Sequence, residues 1–196
     1  MDNRLLKAKL FEDGETAFVI AERFTNDTDS GITVKILQDG KEVCRYTLSS
    51  AHGGNAAYYL YSLGGRDYLL LYTPTVYQGK ADYSYKLFSL TVDGDEVLLK
   101  QNGVEFDLTD AEGFDVEKLL AFSDEVNALF AESILIASSL DSELAVGNGE
   151  PVSYRENYGC LDGSDADLLQ CETLEQKLIA FKAYLREHPH SPEIPG

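Results

Sequence analysis

Histidine, the side chain that most often moves protons near neutral pH, occurs three times in 196 residues: His52, His188 and His190. The last two stand in a proline-containing tail, a poor place for the preorganised geometry that catalysis needs. Three cysteines, Cys44, Cys160 and Cys171, are too few for a disulfide framework. Cys160 and Cys171 could bridge in an oxidising compartment, but free thiols are the expectation, and Cys44 beside Tyr46 and Leu48 reads as a small buried hydrophobe. Two acidic loops, Asn26–Gly31 and Asp162–Asp167, carry carboxylates at a spacing calcium could use. Neither follows the EF-hand order of ligands closed by a distant glutamate, so ordinary polar turns and no metal are expected.

Reaction motifs are missing. His52-Gly53-Gly54 has the composition of an esterase oxyanion loop, yet no Gly-x-Ser-x-Gly elbow accompanies it. No phosphate-cradling glycine loop, zinc-spaced cysteine pair or His-Glu-x-x-His occurs. With 34 acids, a catalytic carboxylate pair cannot be singled out from chance neighbours. No catalytic residue and no cofactor are therefore assigned.

Tyrosine is the remaining signal. Eight of the twelve lie between Tyr58 and Tyr85. A flat apolar ring with a polar tip suits a half-buried sheet face and also a recognition surface. Cross-strand packing explains such a run; a ligand- or partner-binding face explains it too, with Tyr59, Tyr61, Tyr72, Tyr77, Tyr83 and Tyr85 as its candidates and Thr73–Gly79 as its rim.

Charge narrows the partners. Residues 1–100 hold 14 acids and 11 bases, whereas residues 101–196 hold 20 acids and 5 bases, within a total of −18. Such a field repels phosphate backbones and anionic headgroups, so nucleic acid is not an expected partner. A protein or a small ligand is. No window supplies the roughly 18 apolar residues of a membrane span, and Met1-Asp2-Asn3-Arg4 does not open a signal peptide in the sequence as given.

The elements that must position these residues follow from the turns. Asp13-Gly14, Asp39-Gly40, Gly64-Gly65 and Asp93-Gly94 each separate two strand-like runs, and such dipeptides accept the positive φ of two-residue hairpin loops. Their spacing of 26, 25 and 29 residues hints at duplication, but the flanking side chains do not match, so a simple meander is expected. Val104–Leu108 reads as a short ninth strand. Tyr58–Tyr61 and Tyr68–Tyr72 are apolar on both faces and should be central strands covered on both sides. Phe114–Leu140 reads as one long helix, with Asp115 as N-cap and Val116, Leu119, Leu120, Ser123, Val126, Phe130, Ile134 and Ala137 on one stripe. Thr173 with Gln176 forms a capping box for a last helix that ends at His188-Pro189. The fold class is thus α+β: one domain over 1–196, with an antiparallel meander of eight to nine strands in 1–110, a helical part in 111–188 and a loose tail in 189–196. The hairpins are expected to form a single layer roofed by the long helix.

The stretch Tyr83-Ser84-Tyr85-Lys86-Leu87-Phe88-Ser89-Leu90, followed by Asp93-Gly94, Val104-Glu105-Phe106-Asp107 and Phe114-Asp115-Val116, resembles uncharacterised exported domains of Gram-positive gut bacteria, often lipoproteins. The likeness spans residues 56–140 and brings no catalytic residues with it. It implies an extracytoplasmic location, tethered through a segment outside this sequence; a cytoplasmic one is the alternative. Three functions are carried forward. The first is a non-catalytic binding domain. The second is an acidic immunity- or inhibitor-type protein that neutralises a basic enzyme through electrostatic steering. The third is an enzyme of unfamiliar type gathering His52 with carboxylates.

Overall fold

Glycine and aspartate at the hairpin corners do what their stereochemistry allows. At Asp39-Gly40 the φ angles are 51° and 76°, and at Gly64-Gly65 they are 61° and 80°, so both positions of each loop lie in the left-handed region. The computed structural model describes residues 4–25, 30–49, 56–77, 80–107, 109–139, 145–146 and 173–187. His52, His188, His190, Cys160, Cys171, the 162–167 loop, most of the 26–31 loop and the 189–196 tail lie outside the described residues.

Asp39-Gly40 and Gly64-Gly65 close the expected two-residue loops, whereas Asp13-Gly14 lies inside the longer link 9–16 and Asp93-Gly94 inside 91–95; all four antiparallel hairpins form. They are β1 (Arg4–Ala8) with β2 (Ala17–Thr25), β3 (Ser30–Gln38) with β4 (Lys41–Ser49), β5 (Ala57–Leu63) with β6 (Arg66–Tyr77), and β7 (Lys80–Leu90) with β8 (Glu96–Asp107). After β8 come the helix α1 (Val116–Ala131), β9 (Ser133–Ser138), the two-residue β10 (Ala145–Val146) and the helix α2 (Leu174–Glu187). The fold is α+β and its sheets are antiparallel.

The meander is not a single layer. It divides into sheet A, ordered β1-β2-β3-β4, and sheet B, ordered β10-β9-β5-β6-β7-β8. Val19, Ile32, Val34 and Ile36 of sheet A pack on Tyr58, Leu60, Leu69, Phe88 and Ile136 of sheet B. The opposite face of sheet B, carrying Tyr59, Tyr72, Tyr85 and Phe106, packs on Phe122, Val126 and Phe130 of α1 and on Leu178 and Phe181 of α2. Helices, sheet B and sheet A are therefore three successive layers. As their two-faced apolar pattern predicts, β5 and β6 are central strands covered on both sides.

The long helix is the main correction. Asp115 caps it as expected, its carboxylate accepting from the Lys118 amide, but α1 ends at Ala131. Residues 133–138, read as the last turns of that helix, instead form β9 alongside β5. Ser133-Ile134-Leu135-Ile136-Ala137 is apolar at every central position, so a three- or four-residue step finds hydrophobes there whatever the true period. The tertiary environment decides: Leu135 enters the helix-side core, Ile136 the inter-sheet core, and the free edge of β5 takes up the ladder. The expected ninth strand at 104–108 is likewise the far end of β8, which runs unbroken to Asp107. The Thr173–Gln176 capping box forms reciprocally, each backbone amide donating to the other side chain at 3.2 Å.

Sheet A covers only one end of sheet B. The link from β1 to β2 is tied to that end: the Leu90 amide donates to the Leu10 carbonyl at 3.0 Å, the Glu12 amide to the Leu90 carbonyl at 3.0 Å, and the Asp67 amide to the Lys9 carbonyl at 3.2 Å. Phe11 and Leu10 are fully buried there. The other ends of β6 and β7 and the second half of β8 extend past this cover.

Candidate functional site

The tyrosines are mostly core. Tyr59, Tyr72, Tyr83 and Tyr85 are between 0 and 2 % exposed, beneath the two helices. Phe130 lies between two of them, its ring centroid 4.5 Å from Tyr59 in a stacked arrangement and 5.4 Å from Tyr72 edge-on. Tyr61 is half-buried against the same cluster. Tyr77 closes β6 opposite Lys80, and its side chain lies outside the described residues. Five of the six candidates are thus brought together on the helix side, with the four buried rings presenting no open face.

One polar clamp stands among them. Glu125 of α1 accepts from the Tyr85 hydroxyl at 2.7 Å, the Asn102 amide at 2.5 Å and the Lys100 ammonium at 2.5 Å. Burial alone would raise the Glu125 carboxyl, but its bonds from Lys100, Tyr85 and Asn102 hold it below the ordinary glutamate value. The Tyr85 phenol is pushed up to about 12, first by burial and then by donating to that carboxylate. This arrangement pins α1 to the β7–β8 hairpin. Three donors already engage its carboxylate, which suits anchoring better than proton transfer.

On the other side of the same strands the chemistry changes. Side chains alternate between faces along a strand, so the neighbours of Tyr72, Tyr85 and Asn102 point away from the helices. Register places Thr73 opposite Ser84, and Ser84 opposite Gly103. This row of small residues crosses three strands, and the two hydroxyls lie 2.7 Å apart. A Cβ on Gly103 would come within 3.1 Å of the Ser84 Cβ, so glycine both lets β8 sit close and leaves the row low. An adjacent row of Leu71, Lys86 and Gln101 rises on one side. The result is an open groove of about 500 Å³ lined by Leu71, Thr73, Ser84, Lys86, Gln101 and Gly103.

Its banks carry opposite charge. The Lys86 ammonium sits 5.0 Å over the Phe88 ring and ion-pairs with Glu96. Two residues beyond the floor in the other direction, the row Thr75, Asp82 and Glu105 is anionic, with Lys80 3.9 Å from Glu105. Asp82 and Glu105 are exposed. Nearer the sheet interface, Cys44 is half-buried on β4, and burial raises its thiol above the usual value. Burial likewise raises the Tyr46 and Tyr58 phenols, whose rings lie 5.1 Å apart.

Among the described residues no cluster of three histidines, cysteines or carboxylates is placed to hold a metal, and no helix is long and apolar enough to cross a membrane. The groove residues were legible in part. Thr73 belongs to the predicted rim, whereas Ser84, Lys86, Gln101 and Gly103 lie outside it. Their signal is the period-two alternation in Tyr83-Ser84-Tyr85-Lys86, where every second residue of a tyrosine strand is small or polar. No protein-family model, curated protein or solved structure matches the chain, and its geometry alone carries the functional reading.

Proposed function

We propose that the protein is a non-catalytic binding domain that takes a small polar ligand on the open half of sheet B. One observation carries this reading: the small Thr73–Ser84–Gly103 row, with two hydroxyls, on strands whose opposite face carries Tyr72, Tyr83, Tyr85 and Leu87. The central strands of sheet B are elsewhere capped by bulky side chains and a covering layer, while Leu98 and Leu99 of β8 are exposed like the groove. At that row, among the described residues, the sheet is left low and uncovered, with hydroxyl and amide groups facing outward, the combination that orients a polar ligand. The three donors engaged at Glu125 and the absence of a reaction motif in the sequence favour binding over turnover. The resemblance to exported domains supports an extracytoplasmic setting, which fractionation of the source cells would check.

The test is an amide-shift titration of the full chain with a panel of saccharides, amino acids and short peptides. Shifts confined to the amides of Thr73, Ser84, Lys86 and Gly103, and abolished by the groove-filling change Ser84→Leu in a folded variant, are expected. A panel that leaves those amides unmoved, or shifts that survive Ser84→Leu, would overturn the reading. Capture of a basic protein by salt-sensitive association at a different surface would favour the inhibitor reading instead.

A further inference from the structure

Resting on the groove as a binding site, we infer that its ligand class is the short zwitterionic peptide, of about three residues, lying along β7 with its carboxylate at Lys86 and its ammonium at Asp82 and Glu105. The case is one of charge and length. Lys86, Ser84 and Asp82 stand on the same face of one strand, with the floor residue midway. Four residues of strand separate the two charged positions, about 14 Å at a rise of about 3.4 Å per residue. An extended peptide of three residues spans roughly 10 Å, and the side chains of the lysine and the carboxylates close the remainder. A free amino acid is too short to reach both banks.

The floor suits a peptide backbone. The Thr73 and Ser84 hydroxyls both donate and accept, and the Gln101 amide does the same, so the alternating N–H and C=O groups of a peptide find partners. With Gly103 opposite Ser84, no side chain among the described residues stands above the sheet at the centre to block a main chain. Ligand side chains then point to solvent or toward Leu71, so end groups rather than residue identity set the affinity. An anionic ligand alone would meet Asp82 and Glu105, and a cationic one alone would meet Lys86 and the Lys80 that lies 3.9 Å from Glu105; a molecule charged oppositely at its two ends can set its carboxylate at Lys86 and its ammonium at the Asp82 and Glu105 carboxylates.

The site also contains its own competitor. Lys86 is held by Glu96 on the neighbouring strand, away from the floor. Binding a carboxylate means drawing the ammonium off Glu96, so removing that carboxylate should strengthen binding. A purely structural Lys86–Glu96 pair predicts no such gain.

Calorimetric and amide-shift titrations of the full chain with tri-alanine, its N-acetyl form and its C-terminal amide test the inference. Free tri-alanine should move the Ser84 and Gly103 amides, and blocking either end should weaken it roughly fivefold, the scale of one exposed ion pair. Lys86→Gln should abolish the distinction between free and amidated peptide, and Glu96→Gln should tighten free tri-alanine by about threefold. Equal affinity for the free and blocked peptides, or weaker binding by Glu96→Gln, would overturn the peptide assignment even if the groove binds other polar ligands. If none of the three peptides nor any other panel compound moves the groove amides, the binding-site reading itself falls.

Discussion

The two faces of the β6–β7–β8 ribbon differ at every step by a single residue. Tyr72 and Tyr85 look toward the helices and are sealed in; Thr73 and Ser84, their immediate neighbours, look the other way and remain open. The strands are the same, and so is the ladder that joins them. What differs is the cover: α1 and α2 lie across the helix side, whereas sheet A is anchored through Lys9–Glu12 to the opposite end of the other side. A tyrosine-rich strand therefore announces a thick core as readily as a recognition surface, and the small residues between the rings mark where a sheet has been left bare.

Substitutions should separate the faces, and the largest effect belongs to the helix side. Phe130→Ala empties a site packed against Tyr59 and Tyr72 and should cost about 3–5 kcal/mol in denaturant unfolding. A loss under 1 kcal/mol would mean that the helix layer is not the core it resembles. Glu125→Ala strips the partner from Tyr85, Asn102 and Lys100 and should cost about 1–2 kcal/mol, partial exposure of the carboxylate keeping it at the low end for charged hydrogen bonds.

The same clamp has a pH signature whose sign is determined. A carboxyl held below its unfolded value stabilises the fold above the ordinary glutamate range, and that contribution fades as pH falls through the lowered folded value. The stability gap between the native protein and Glu125→Gln, read from thermal melts, should shrink on going from about pH 7 to about pH 3. A gap that widens in acid would contradict the clamp.

On the open face, effects on stability should be small. Ser84→Ala and Thr73→Val each remove one half-exposed hydroxyl pair and should cost about 0.5–1 kcal/mol. Lys86→Gln should change stability by no more than about 0.5 kcal/mol, since its ion pair with Glu96 is partly exposed. If these open-face changes unfold the protein as readily as Phe130→Ala, the two sides are one core and the groove is not a surface at all.

Much of this architecture is written locally. The Asp39-Gly40 and Gly64-Gly65 corners determine two tight hairpins, because positive φ at those positions is a property of the residues themselves and the pairing of flanking strands follows. Asp115 and the Thr173–Gln176 box determine where two helices begin, since a cap needs only a side chain and an amide three residues away. The two-faced apolar runs of β5 and β6 determine that these strands are central. Other features depend on what comes to lie nearby. Residues 133–138 become β9 because the edge of β5 and two cores are waiting for Leu135 and Ile136, and no periodicity in a fully apolar run could say so. The partition of the hairpins into two sheets, and the choice of which face of β7 is sealed and which is open, rest on where sheet A comes to lie. A strand's sequence states that its two faces differ; only the packing of distant segments, whose contacts are not encoded in local dihedral preference, decides which of them meets water.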